Sequence, residues 1–250
     1  MKKSKIVQIL LISFIGILGL SLTGCASRIP VKTPTYTWEA QSNLSKSLKR
    51  EKSSNLVIGI VDPETQTNGS KEFENALTVA ISEIISAKGF KLKGPYESFD
   101  DITYRDKKMI YLVFRPKLEL NIKAKATKRE SHPSYNHYEG VYTATGSLIL
   151  SVVEPMTGQT FIKRRINLSD LGVSEKYVYE VQKIAGSMTG QLIDAATAPT
   201  ELLDTRAYAK AKLENELYKK VVAKIAKYID REEIISFKPD ILKLKGLKRF

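Results

Sequence analysis

Two groups of residues in this chain carry side chains able to do chemistry. The first is a single thiol, Cys25, standing directly behind Leu22, Thr23 and Gly24 at the end of an uncharged apolar segment. Sulfur is a nucleophile, and small residues ahead of it let the chain lie extended in a processing enzyme, so the placement suits covalent attachment of lipid. The second group is Lys123-Ala-Lys-Ala-Thr-Lys-Arg-Glu-Ser-His132 followed by Pro133-Ser-Tyr-Asn-His-Tyr138, which combines a run of cations with the aromatic rings that follow it. Here Arg129 can grip a carboxylate through two parallel N–H donors, and Lys128 adds a point charge. Tyr135, His137 or Tyr138 then offers an apolar ring face to a pyranose. A solvated basic loop between two strands is the plainer reading of the same residues.

Catalytic constellations are missing from the sequence. Gly186-Ser-Met-Thr-Gly190 places Met188 where a nucleophile elbow needs serine, and there is neither a phosphate-cradling glycine loop nor a His-Glu-x-x-His pair. His132 and His137, the only histidines, have no accompanying set of Asp, Glu or Cys ligands, so no metal site is expected. Asp100-Asp101 and Glu232-Glu233 are adjacent carboxylates, which diverge on regular elements and read as solvated charge. The expectation is a protein with no catalytic residues and no cofactor beyond lipid on Cys25.

Lys2, Lys3 and Lys5 precede the apolar run Ile6 to Leu20, so residues 1–24 read as a removable leader, and Leu22-Thr23-Gly24-Cys25 is similar to the lipobox of bacterial lipoproteins. That similarity implies cleavage before Cys25, diacylglycerol on its sulfur and an acyl chain on its new amino group. Several chains hold a protein at a bilayer where a single one is marginal. Ala26 in place of aspartate after the cysteine points to the outer membrane. The competing reading is an uncleaved membrane helix, because the run from Ile6 to Ser27 is long enough to span hydrocarbon. With Cys25 acylated no thiol remains for a disulfide, so an apolar core must hold the exported part. A 250-residue chain that is 42% hydrophobic can supply one. The formal charge of +13 favours anionic partners: lipopolysaccharide phosphates and acidic lipid of the outer membrane, peptidoglycan carboxylates, or acidic, sialylated host glycans. Nucleic acid suits the charge but not the compartment.

The elements that must position these residues follow from periodicity. Residues 25–54, with Pro30, Pro34 and repeated serines, read as a lipid-anchored tether that Trp38 alone interrupts, and residues 55–250 as a single α+β globular domain. Asn55 to Val61 suits a buried strand. From Ser70, a candidate N-cap, the residues Phe73, Ala76, Leu77, Ala80, Ile81, Ile84 and Ile85 share one helical face, with Gly89 closing the end. Phe90 to Lys93 is a short strand stopped by Gly94-Pro95. Met109 to about Ala124 alternates as a strand with one wet face, Lys117, Glu119, Asn121 and Lys123, and Tyr138 to Val153 is a second strand. Between them the basic segment reads as a long hairpin loop. Glu154 to Gly158 is a turn, after which Thr160 to Leu168 returns antiparallel. Tyr177 to Ala185 reads as a helical turn or two, Asp204 to Tyr228 as a long helix with a stripe of Leu213, Leu217, Val221, Ile225 and Ile229, and Lys243 to Arg249 as a basic tail. The sum is an antiparallel-rich sheet covered on one face by two main helices.

Tyr138-Glu-Gly-Val, Glu154-Pro-Met-Thr-Gly158, Leu168-Ser-Asp-Leu171 and Ser174-Glu-Lys-Tyr177, at these separations, resemble the neuraminyllactose-binding hemagglutinin family, also called flagellar sheath adhesin. The likeness extends to Ala87-Lys-Gly-Phe-Lys91 and Leu244-Lys-Gly246. It implies a bacterial surface lipoprotein of the outer membrane and flagellar sheath, acting as an adhesin for sialylated glycans. The sialic-acid motif proposed in that family is a Lys-Arg-Thr run followed by paired lysines. This chain has Thr127-Lys128-Arg129-Glu130 without the pair, so the resemblance carries over only a basic neighbourhood at Lys128 and Arg129. A structural envelope component facing the periplasm, without sugar binding, is the alternative, and the oligomeric state is left open.

Overall fold

The computed structural model of the chain describes residues 29–36, 48–183 and 199–247. Cys25, the lipobox residues Leu22, Thr23 and Gly24, Trp38, and the Gly186 to Gly190 segment lie outside the described residues. The described residues divide into two compact units, one of residues 29–32, 130–137, 180–183 and 199–203, the other of residues 33–36, 48–129, 138–179 and 204–247.

The larger unit is built on a mixed sheet. Its strands are β2 (Val57–Val61), β3 (Glu64–Thr67), β4 (Lys91–Tyr96), β5 (Leu112–Ser131), β6 (Tyr135–Val153), β7 (Thr160–Asn167) and β8 (Ser174–Gln182), with β5, β6 and β8 continuing into the smaller unit. The order is β4-β2-β5-β6-β7, with β3 beside β5 further along and β8 beside β6. β2 runs parallel to both β4 and β5, β3 parallel to β5, and β7 antiparallel to β6. β5 and β6 form a hairpin: Gly146 lies against the Glu119 carbonyl and Gly140 against that of Lys125, so one index falls as the other rises.

Helix α1 (Lys71–Ala87) forms where the sequence predicts it. The Ser70 hydroxyl accepts from Phe73 N–H at 3.3 Å, Glu72 and Glu74 favour the positive end of the helix, and Gly89 turns away with φ of 82°. Its apolar stripe and that of α3 (Arg206–Tyr228) are buried together over one face of the sheet, against Leu118, Leu120, Ile122, Leu148, Leu150 and Val152. Each large side chain so buried contributes about 1.5–3 kcal/mol. The two helices meet edge to face at Phe73 and Tyr218, 6.4 Å between centroids. Glu214 of α3, itself buried, accepts from Ser70 N–H at 3.0 Å and from its hydroxyl at 2.5 Å, so one helix fixes the N-terminus of the other.

Several elements differ from the sequence reading: β3 has no counterpart in it, and β4 continues through Gly94-Pro95 to Tyr96 instead of stopping before them. Helix α2 (Tyr104–Met109) precedes β5; it has no buried residue, and its sole local signature is the Thr103 cap on Asp106 N–H. With Ile102 and Ile110 it brings a second small apolar cluster, including Val61, Val113 and Val153, to the other face of the sheet. Tyr177 to Gln182 is strand, not helix, because aromatic and β-branched residues in Tyr-Val-Tyr-Glu-Val fit a pleated surface. The C-terminal segment is helical as α4 (Arg231–Ser236) and α5 (Lys238–Leu247), Pro239 lying in a first turn where its missing N–H costs nothing. The expected long loop is a continuous ribbon turned only at residues 132–134.

In the smaller unit β1 (Val31–Lys32) pairs in parallel with β9 (Leu202–Leu203), and Ile29 N–H donates to the Gln182 side chain at 3.2 Å.

Candidate binding site on the cationic ribbon

Lys128 and Arg129 sit in strand rather than loop, as do Tyr135, His137 and Tyr138. Consecutive strand residues face opposite ways, so Lys128 and Arg129 leave the ribbon on different faces and cannot grip one carboxylate together. Lys128 reaches Glu139 at 3.7 Å. The Arg129 guanidinium lies 5.5 Å from the centre of the Tyr138 ring, is exposed, and has no carboxylate partner among the described residues.

In the larger unit Tyr138 opens a ladder of rings. It stacks on Tyr179 at 4.7 Å and 6°, Tyr179 neighbours Tyr177 at 6.2 Å, and Tyr177 packs on Tyr142 at 4.5 Å. A second guanidinium, Arg206, lies 4.2 Å over Tyr179. Asp204 holds it through two parallel contacts, Nε to Oδ1 at 3.0 Å and Nη2 to Oδ2 at 2.6 Å. That pairing keeps the Asp204 carboxyl below the usual carboxylate range and the Arg206 guanidinium above its own. Burial raises the Tyr142 hydroxyl, and the neighbouring Tyr177 raises it further. Gly140 makes the ladder possible: a Cβ there would stand 2.2 Å from Tyr177 Cζ. The sequence reading missed Tyr177, Tyr179 and Arg206, whose one local trace is the pair of tyrosines at alternate positions.

In the smaller unit Tyr135 and His137 are engaged by protein groups. Tyr135 stacks on His132 at 4.4 Å, and His137 Nδ1 lies 3.1 Å from Glu180 Oε1, whose other oxygen accepts from Leu203 N–H at 2.9 Å. Lys183 donates to the Ser131 hydroxyl at 2.7 Å and to the His132 carbonyl.

The adjacent carboxylates have structural uses. Asp101 accepts from Ser98 N–H and hydroxyl, and Glu233 pairs with Arg164 at 2.8 Å. A concavity of about 640 Å3 beside α1 is lined by Leu48, Val79, Phe90 and Leu92, and its Glu51 is paired with Lys88 at 2.9 Å. Among the described residues no group of three or more His, Cys, Asp and Glu could hold a metal ion, and no helix is long and apolar enough to cross a membrane.

Residues 32–248 match the family described as neuraminyllactose-binding hemagglutinin precursor. Proteins named neuraminyllactose-binding hemagglutinin from Helicobacter pylori are 23% identical over 185 residues, covering 70% of this chain and 69% of theirs, and 22% identical over 244 residues, covering 91% and 90%. A crystal structure of a neuraminyllactose-binding hemagglutinin homolog from Helicobacter pylori shares the fold, with a TM-score of 0.51 and 18% identity over 76% of this chain and 94% of that one.

Proposed function

The chain belongs to the neuraminyllactose-binding hemagglutinin family, and from that premise we propose that it is a non-enzymatic adhesin, anchored in the outer membrane through acylated Cys25 and turning its cationic ribbon toward sialylated glycans. The observation that carries the reading is Arg129, an exposed guanidinium braced on a tyrosine and left without a carboxylate among the described residues. Its planar fork matches the carboxylate of a sialic acid, and the ring beneath it limits the rotamers lost on binding. Tyr138, already engaged by Arg129 and Tyr179, positions the guanidinium and is not a free sugar platform. The names of the relatives support an adhesive role.

The detergent-extracted protein applied to paired sialylated and desialylated glycan arrays tests the ligand. Salt-sensitive binding to the sialylated member, lost in Arg129→Glu and retained in Lys128→Gln, is expected; equal binding to both arrays refutes sialic-acid recognition. The anchor has its own test: the membrane-extracted protein should carry the mass of three acyl chains and begin at Cys25, and Cys25→Ser should release it from the membrane fraction. Protease added to whole cells should cut the ribbon, whereas protection would place the domain on the periplasmic side.

A further inference from the structure

β5 is flanked on both sides along its first half and on one side along its second. From Leu112 to Leu120 it has β2 and β3 on one edge and β6 on the other. β3 ends at Thr67, and the side chain of Asn68 takes the next place. Its Oδ1 accepts from Ile122 N–H at 2.7 Å, and its Nδ2 donates to the Ile122 carbonyl at 2.9 Å. Beyond Ile122 no strand among the described residues pairs with this edge, and every residue from Lys123 to Arg129 is exposed. Backbone groups alternate sides along a strand, so the N–H and C=O of Ala124 and Ala126 point the same way as those of Ile122 and are the open ladder groups. Lys123, Lys125 and Arg129 share one face of this edge, and none has a carboxylate partner among the described residues.

Lysines on an open edge guard it against copies of itself, since two such edges paired together would set cation against cation. The same charges select for a strand of opposite sign. We propose that the Lys123 to Arg129 edge of β5 takes an acidic, extended segment of another protein by strand addition, pairing backbone to backbone at Ala124 and Ala126 with carboxylates set against Lys123 and Lys125. The contact uses main-chain groups of β5 and stands apart from the glycan reading, which uses the Arg129 side chain.

The test titrates a capped, dye-labelled peptide of alternating glutamate and valine against the full chain, with an alternating lysine–valine peptide and polyglutamate as controls. Binding of the glutamate–valine peptide alone is expected, with slowed hydrogen exchange at the Ala124 and Ala126 amides. Ala126→Pro removes an N–H that no internal ladder uses, so the fold is kept and affinity falls roughly fivefold. Lys123→Glu combined with Lys125→Glu lowers affinity roughly tenfold. Should the proline variant melt early, methylating alternate amide nitrogens of the peptide asks the same question from the partner's side, and loss of binding supports the proposal. No binding, equal binding of polyglutamate, or indifference to both the proline and the methylated peptide overturns it; the edge is then guarded and nothing more.

Discussion

Gly140→Ala should loosen the ring ladder, and the size of the effect can be worked from the distances. A Cβ built on Gly140 falls 2.2 Å from Tyr177 Cζ, 2.3 Å from its hydroxyl and 2.8 Å from the Lys125 carbonyl oxygen. Carbon atoms pack at about 3.5–4.0 Å, so the ring must retreat by more than about 1 Å. Tyr177 has little room to do so, being 6% exposed and held between Tyr142 and Tyr179. Overpacking of this kind costs about 1–3 kcal/mol, and displaced ring contacts add about 0.5–1.5 kcal/mol. The variant should therefore lose about 2–4 kcal/mol, which at about 2–4 °C per kcal/mol lowers Tm by roughly 5–15 °C. Thermal melts followed by near-ultraviolet circular dichroism, which reports on the tyrosines, provide the assay. A double-mutant cycle with Tyr177→Leu isolates the cause: with the ring gone the alanine should cost about 1–2 kcal/mol less. A variant melting within a degree of the parent, or two costs that simply add, would refute the packing argument.

Other consequences can be checked on the same material. Burial raises the Glu214 carboxyl despite its bonds from Ser70, so its contribution to stability is full below the ordinary carboxylate range and is lost as pH rises through the raised value. In urea titrations between about pH 4 and pH 7 the stability difference between the parent and Glu214→Gln should shrink with rising pH; a constant difference contradicts the assignment. Burial pushes the hydroxyls of Tyr111 and Tyr218 up to about 12, so the fold should weaken as pH rises from the ordinary phenol value through that figure. Ultraviolet titration should find these phenols ionising late, and Tyr111→Phe should also cost about 1 kcal/mol by removing the 3.0 Å bond to the Ile234 carbonyl. Lys245 donates to the carbonyls of Lys108 at 3.1 Å and Ile110 at 2.5 Å, fastening α5 to the end of α2. Lys245→Met keeps the stem and strands those carbonyls, a loss of about 1–3 kcal/mol in denaturant unfolding; an unchanged midpoint would show that water serves them as well.

The legible parts of the fold were those whose local pattern and tertiary role agree. Ser70 caps the helix its sequence announces, and the seven apolar residues from Phe73 to Ile85 are all buried as their spacing requires. Where a segment is held by something distant, the pattern misleads. Lys123 to Arg129 carries the charge of a loop, yet its backbone is claimed by β6 and stays extended. α2 buries none of its own side chains, so it has no stripe to read. Arg206 joins the ladder from a helix remote in sequence from Tyr138, and no spacing rule links the two. The residues behind the family resemblance prove to be packing devices: Gly140 clears space for Tyr177, and a Cβ on Gly89 would stand 2.3 Å from the Lys52 carbonyl oxygen. Glu154 accepts three bonds from Met156 and Thr157 to set its turn, and Lys245 serves the end of α2. In this chain these motifs serve architecture, whereas Lys128 and Arg129 lie outside them on the exposed part of β5.

The carboxamide of Asn68 draws a frontier across a single strand. On one side of it lies masonry, since Phe114, Leu118 and Leu120 are mortared into the core and any insertion there would be felt throughout. On the other side lies a balcony, where Ala124 and Ala126 can be exchanged, capped or decorated and the disturbance stops at the parapet. A side chain exchanged on the outer half of this strand therefore meets water, whereas one exchanged at Phe114, Leu118 or Leu120 meets the core.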